Sequence, residues 1–437
     1  MTTFIILPTQ LHPRSKSFWK QWKQIIVIEE SHYLNKSMHP LKLWMHRASM
    51  MEYFHSIDHK SKKYIHYTES TDFDAGSDFT LCHPTDSAMV MKYKQGTMID
   101  NPSFLLRVDE LDLMDTQVHD VFYKRVRVKY DILIKNKLPE GGKWSYDSDN
   151  RKRYPSEYRE TNILDRSLTN KYIKQSRSIT ALSTVNVDPK HMIWPTNRRQ
   201  AMKDLREFVQ HRLTHFGPYQ DALRSDVVVG NHSCVSSSLN IGLITPLDVV
   251  KEASKFKIPI ASLEGFIRQV IGWREYIRMK YLLHGLSDWN YLKNMTKPLP
   301  KSWYSATTGI EALDWSIERV LTYSYASHIE RLMLLANYSV LLRLKYKDVF
   351  HWFRNMFIDG YDWVMLNVSM GVNSLGKDNK FMKRAYLTNG TYLKKMGLKL
   401  SKKDEDQLRK LYDSFIRDNK ALAKRDYRLS AAVKRLG

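Results

Sequence analysis

Between residues 4 and 130, short β-branched runs alternate with amphipathic stretches. "FIILPT", "QIIVIEE", "YIHYTES" and "DFTLCHP" have the length and the Ile, Val and Tyr content of strands. "HPLKLWMHRASMMEYFHSI" repeats its apolar positions at helical spacing. Alternating strand and helix predicts a parallel, Rossmann-like sheet. No G-x-G-x-x-G or P-loop pattern occurs there, so no dinucleotide or nucleoside triphosphate site is signalled. From 131 to 200 the rhythm breaks. "LPEGGKWSYDSDNRKRYP" is rich in glycine, charge and turn formers, and "KYIKQSRSITALSTVNVDPKHMIWP" has no clear period. Trp144, Tyr146 and Trp194 predict that this connection packs on something. Beyond it, apolar residues recur three and four apart in "RQAMKDLREFVQHRL", "TPLDVVKEASKF", "SLEGFIRQVIGWREYIRMKYLL", "IEALDWSIERVLTYSYASHIERLMLLANYSVLLRL" and "YKDVFHWFRNMFIDGYDWVML". The expected organisation is an α/β domain over 1–130, a linker over 131–200 and an all-α domain over 201–437.

Charge changes the picture. The 437 residues carry 69 Lys and Arg against 46 Asp and Glu, a net charge of +23. Such an excess attracts a polyanion, nucleic acid or an anionic membrane surface. With 11 Trp, 25 Tyr and 16 Phe available to stack flat groups, nucleic acid is favoured. Two cysteines, Cys82 and Cys234, exclude a disulfide scaffold and any four-cysteine metal or iron–sulfur site. No apolar run approaches a membrane span, and "FIILP" is too short for a signal-peptide core, so a cytoplasmic protein is expected.

Three stretches could carry chemistry. "EGFIRQVIGWREYIR" reads as one helix, with Gly272 and Trp273 at its centre beside Arg274 and Glu275. A mid-helix glycine costs about 1 kcal/mol relative to alanine, acceptable where another backbone or a ligand comes close. A core helix with snorkelling arginines is the alternative. "FGPYQDAL" precedes "GNHSCVSSSLNIGLITP", where His232, Ser233, Ser236 and Asn240 stand among further serines on the approach to a helix. Backbone N–H groups and hydroxyls there could hold phosphates. "YASHIERLM" places His328 on an aromatic and apolar helix, where a lone histidine is more often a core residue than a catalyst. Arg331 and Asp359 both lie in apolar helices and could form a buried charge couple.

Taken in order, "TQL", "EESHY", "FYKRVRVKYDILI", "GGKWSYDSDNRKRYP", "IWPTNRRQA", "FGPYQDAL", "HSCVSSSLNIGLI", "EGFIRQVIGWREY", "YASHIERLMLLANY", "FIDGYDWV" and "KRAYLTNGTYLKKM" resemble the landmarks of the photolyase-related proteins. More narrowly they resemble the prokaryotic (6-4) photolyases, also called iron–sulfur bacterial cryptochromes and photolyases. The resemblance runs over nearly the whole chain. It implies an N-terminal α/β antenna domain and an all-helical domain that binds FAD. The implied chemistry is light-driven electron donation from reduced flavin to a UV photoproduct flipped out of DNA.

By position, the resemblance assigns Tyr219, His232, Ser233, Ser236 and Asn240 to the FAD phosphates and ribityl chain. Gln269, Arg274 and Arg331 fall along the flavin, with Asp359 paired to Arg331. Trp273 faces the lesion pocket, His328 is the proton donor to the lesion, and Trp352 passes electrons to oxidised flavin. A ribityllumazine antenna is implied for "EESHYLNKSMHP" and the linker. Departures are as informative. The family's cluster cysteines fall at Ala312 and near Leu400 and Lys403, so no iron–sulfur cluster is expected; the acidic "DEDQLRKLYDSFI" region is expected to replace it by helix packing. Ser327 replaces the first histidine of a His–His pair, and Phe353 and Tyr304 replace the usual Tyr and Trp of the electron route. The expectation is a monomeric, cytoplasmic, nucleoid-associated FAD-dependent DNA photolyase of (6-4) type, with UV-damaged DNA as partner and no membrane. The alternatives are a cryptochrome-like blue-light photoreceptor without repair, or a nucleic-acid-binding protein with a degenerate flavin pocket.

Overall fold

A computed structural model describes the chain except residues 1, 71–72, 161–166, 184, 286–293, 372–385, 425 and 437. The end of "MLNVSMGV" and the start of "KRAYLTNGTYLKKM" therefore lie outside the described residues. Two compact units form. One comprises Met1–Met114, Asn162–Thr214 and Ser233–Ile258; the other comprises Asp115–Thr161, His215–His232 and Pro259–Gly437.

The first unit is built on strands β1 (Thr3–Ile6), β2 (Gln24–Ile28), β3 (Lys62–Ile65), β4 (Phe79–Cys82) and β5 (Thr97–Ile99). Their order is β3-β2-β1-β4-β5 and every neighbouring pair is parallel. Ile5 sits between Ile26 and Leu81 across the central ladders. Parallel strands are covered on both faces, which explains runs of Ile and Val without polar alternation. The expected α/β class is thus observed. β5, "TMI", is too short to have been read from the sequence. Its order reverses between β1 and β4, the position where such sheets open a ligand crevice at the strands' C-terminal ends. The predicted helix is Pro40–Ser56, with Pro40 at its start and the His39 ring accepting from Leu41 N–H at 3.2 Å. Helix Pro246–Ala253 opens on a capping box between Thr245 and Asp248, and Asp248 also takes a bidentate pair from Arg198 at 2.8 Å.

The second unit contains, among the described residues, helices joined by one two-stranded hairpin, Ile134–Lys135 with Leu138–Pro139. The long apolar periodicity from 310 to 344 does not give one helix. Helix Glu311–Tyr323 stops at Ser324, whose φ of 57° is left-handed. The Ser324 hydroxyl donates to Met356 O at 2.6 Å, and Ile358 N–H donates to Ser324 O at 2.8 Å. Those bonds tie the break to the turn after helix Tyr346–Met356. Helix Lys402–Asp418 begins on Ser401, and its Asp404 accepts from Ala312 N–H at 2.8 Å and Glu311 N–H at 3.3 Å. A carboxylate thus caps helix Glu311–Tyr323 from another helix, beside two of the positions where the resemblance puts cluster cysteines.

Candidate functional site

The helix that begins at Ile260 changes geometry before it reaches its odd residues. Ile260–Ile267 is α-helical, Arg268–Trp273 is π-helical, and Arg274–His284 is α-helical again. Single π turns inside α-helices are frequent at functional sites because the extra residue re-aims side chains. The reason for Gly272 is a close neighbour rather than helix preference. A Cβ there would lie 3.0 Å from Tyr123 Cδ2 and 3.1 Å from His119 Nε2, both on helix His119–Lys129. Trp273 lies flush on the same histidine, with ring centroids 3.8 Å apart and planes 9° apart. Gln269 donates back to Gly265 O at 3.2 Å. Arg274 is buried with its guanidinium 5.2 Å over the Trp363 ring. Desolvation, opposed by Glu275 and helped by Arg278, pushes its pKa down to about 9.

A second π turn, Glu330–Ala336, carries Arg331. Ser327 and Glu330 cap its entry reciprocally, with Ser327 N–H to Glu330 Oε2 at 2.8 Å and Glu330 N–H to Ser327 Oγ at 3.3 Å. Arg331 is then fixed from several sides. Its Nε donates to Ala326 O at 2.9 Å, its Nη1 lies 2.9 Å from Asp359 Oδ1, and its guanidinium sits 4.3 Å over Phe357. The charge couple read from the sequence is therefore present. His328, three residues earlier, is open to solvent yet ringed by protein. Desolvation, then Arg331, then His232, push its pKa down to about 4. Accessibility and desolvation together place it on the wall of a recess, with its ring neutral at physiological pH.

His232 uses both ring nitrogens on backbone oxygens, Nδ1 on Val229 O at 2.8 Å and Nε2 on Gln220 O at 2.9 Å. Tyr219 stacks on Tyr154 at 5.5 Å. Trp352 is fully buried; its indole N–H donates to Trp303 O at 3.2 Å, and it meets Trp303 edge-on at 5.1 Å. Phe353 stacks on Phe357, the ring beneath Arg331, at 5.4 Å. Ser233, Ser236 and Asn240 belong to the first unit, Ser236 and Asn240 in the short helix Ser236–Asn240. The second unit thus gathers Arg331, Asp359, His328 and His232 electrostatically. Trp273 and Arg274 have their own separate packing partners, His119 and Trp363.

Two residues were not singled out in the sequence. Asp221, inside "FGPYQDAL", accepts from the Tyr392 hydroxyl at 2.7 Å, and burial pushes its pKa up. The stretch that contains it was the signal. Glu160 has its carboxylate on three backbone N–H groups, of Val228, Val229 and Gly230. Nothing in "YPSEYRE" announces that.

Residues 4–180 match the family model described as deoxyribodipyrimidine photo-lyase-related protein. A (6-4) photolyase of Agrobacterium fabrum (strain C58) is 29% identical over 298 residues, 63% of this chain; the match spans 56% of that protein's own length. A solved cryptochrome from Synechocystis sp. PCC6803 superposes with a TM-score of 0.57 at 13% identity, over 97% of this chain and 93% of the other. An archaeal photolyase from Sulfolobus tokodaii, solved with two FAD molecules, gives 0.54 at 14% identity, over 99% and 93%. These likenesses in structure establish the fold.

Proposed function

We propose that this chain, which matches the photolyase-related family model over residues 4–180, is a light-dependent DNA-repair flavoprotein of (6-4) photolyase type. The observation that carries the reading is Arg331, a buried guanidinium fixed by Asp359, Ala326 O and the Phe357 ring beside the recessed His328. The donor set fits FAD. A flavin ring offers acceptors along one edge and gains negative charge on reduction. Arg274, Arg331 and Gln269 are donors, and two of them are cations kept from water. FAD, when bound, supplies the light-excited electron.

The side chains do the rest. Arg331 and Arg274, both buried, would supply positive potential to a reduced ring. Trp273, backed by His119, offers its other face to a flipped base. Trp352, fully buried beside Trp303, would serve as the electron donor to an oxidised flavin. His328 is neutral on its own because desolvation, then Arg331 and His232, oppose a proton there. It becomes a proton donor when an anionic DNA ligand offsets those cations, so protonation is coupled to substrate binding. The excess of lysine and arginine, +23 overall, supplies affinity for the phosphates of UV-damaged DNA. A ribityllumazine antenna is assigned to "EESHYLNKSMHP", and the protein is taken as a monomer without a cluster, working at the nucleoid.

The test is the absorption spectrum of the purified protein, followed by repair of an oligonucleotide carrying one (6-4) photoproduct under blue light. A yellow protein that repairs, and whose His328→Ala variant keeps flavin but loses repair, supports the reading. Flavin without repair makes it a cryptochrome-like photoreceptor. A colourless protein that cannot be reconstituted leaves a nucleic-acid-binding protein.

A further inference from the structure

The loop Val228–His232 has no helix or strand to satisfy its amides. For Val228, Val229 and Gly230 a single acid does it instead. Glu160 Oε2 accepts from Val228 N–H at 2.8 Å, and Oε1 accepts from Val229 N–H at 2.5 Å and Gly230 N–H at 2.7 Å. Successive N–H groups converging on one carboxylate form the concave nest by which protein backbones bind anions. Here the anion belongs to the chain itself.

The nest reaches His232 through one peptide group. The N–H of Gly230 and the carbonyl of Val229 belong to the same peptide unit. Its N–H points at Glu160, while its oxygen takes the His232 ring at 2.8 Å and the His232 backbone N–H at 3.2 Å. A carboxylate on the N–H side polarises the carbonyl and strengthens it as an acceptor. Glu160 thereby orients the His232 ring without touching it. The residues before Glu160 form a strap over the same segment. Tyr154 stacks on Tyr158 at 4.4 Å and on Tyr219 at 5.5 Å. Arg224 donates to Pro155 O at 3.0 Å and Tyr158 O at 2.8 Å, and Lys152 N–H donates to Pro218 O at 2.9 Å. Only glycine fits at 230: its φ is +58°, and a Cβ would collide with the Tyr154 hydroxyl.

We propose that Glu160 is a positioning residue: an internal anion that fills the Val228–Gly230 nest and so holds His232 and the strap over Tyr219 in the form that retains the cofactor. The cofactor part rests on the FAD reading above; the amide part does not. The ligand class of the nest is a small carboxylate, so a carboxylate from solution should replace the missing one.

Amide hydrogen exchange across residues 228–230 needs no flavin and is measured on the full chain as purified. In Glu160→Ala all three amides should exchange at least tenfold faster, and flavin should dissociate at least tenfold faster. Formate or acetate at tens of millimolar should restore both, whereas chloride at equal ionic strength should not. Glu160→Gln keeps the bulk and one acceptor oxygen, which can serve Val229 and Gly230 while its NH₂ faces Val228. Only the Val228 amide should then speed up. Equal exchange at the three amides in wild type and both variants would overturn the proposal. So would loss of protection that chloride restores as well as formate. A wild-type protein without flavin would overturn the FAD reading instead, leaving the exchange result to decide this one.

Discussion

The end of β2 and the recess around Arg331 both bury charge, but they do it differently. At β2, Glu29 takes both its bonds to Arg47 at 2.6–2.7 Å, one more from the Tyr64 hydroxyl at 2.8 Å and one from Tyr67 N–H at 3.0 Å. Its neighbour Glu30 takes Lys92 through both oxygens at 2.8 and 2.9 Å. Each acid is closed by its own cation. In the recess the signs do not cancel. Arg331 has Asp359, but desolvation, then Arg331 and His232, push the His328 proton off. Charges that close on themselves hold a fold together, whereas His328 is held off its proton by desolvation and by the charge of its neighbours. On the flavin reading proposed above, the contrast is that between a structural site and a ligand site.

The largest predicted effect breaks the Arg331 couple. Arg331→Ala strands the Asp359 carboxylate in a site with about one-twentieth of its surface exposed. The expected loss is roughly 3–5 kcal/mol in denaturant unfolding, the cost of an orphaned buried charge, together with loss of bound flavin. The matching variant at β2, Arg47→Ala, leaves Glu29 with Tyr64 and Tyr67 N–H, so a loss of about 2 kcal/mol is expected, with flavin content unchanged. If Arg47→Ala empties the flavin site as well, the two regions are not distinct.

A smaller effect tests the helix cap that stands near the missing cysteines. Asp404→Ala should cost about 1–2 kcal/mol, because Glu311 and Ala312 lose a charged acceptor at a helix N-terminus. The unfolding midpoint of Asp404→Asn, which keeps one acceptor, should fall between wild type and alanine. A neutral outcome for both would mean the two helices are joined by packing alone.

What the sequence made legible follows from periodicity. Strands β1 and β2 stood out because burial on both faces leaves unbroken Ile and Val runs, and helix Pro246–Ala253 stood out through the apolar spacing of "TPLDVVKEASKF". The Arg331–Asp359 couple was legible because two opposite charges sat in otherwise apolar helices. The π turns were not, since an i→i+5 widening leaves the apolar spacing nearly unchanged over six or seven residues. Gly272 signalled a close approach, but not that a histidine and a tyrosine 149 or more residues earlier made it. Glu160 carried no signal at all. Its three bonds go to backbone N–H groups, which every residue but proline has, so no side-chain pattern can encode the contact.

The smallest effect is also the one that reads the recess most directly. His328 has a pKa of about 4 in the folded chain and about 6.5 when unfolded. Between those values the unfolded state binds the extra proton, so stability rises with pH. The contribution is complete above about pH 6.5 and is lost as the solution is acidified towards 4. The ring touches solvent, which screens the effect, so a modest slope is expected. His46, buried beside Lys42 and also held low, adds a slope of the same sign, so wild type alone does not isolate His328. The difference does: urea midpoints of wild type and His328→Gln should diverge more at pH 7 than at pH 5, in favour of wild type. Adding a short DNA duplex should shrink the difference, because phosphates offset Arg331 and His232 and let the ring keep its proton. If DNA leaves the slope as it was, the cations of the recess do not face the ligand, and the distinction between the two regions loses its functional meaning.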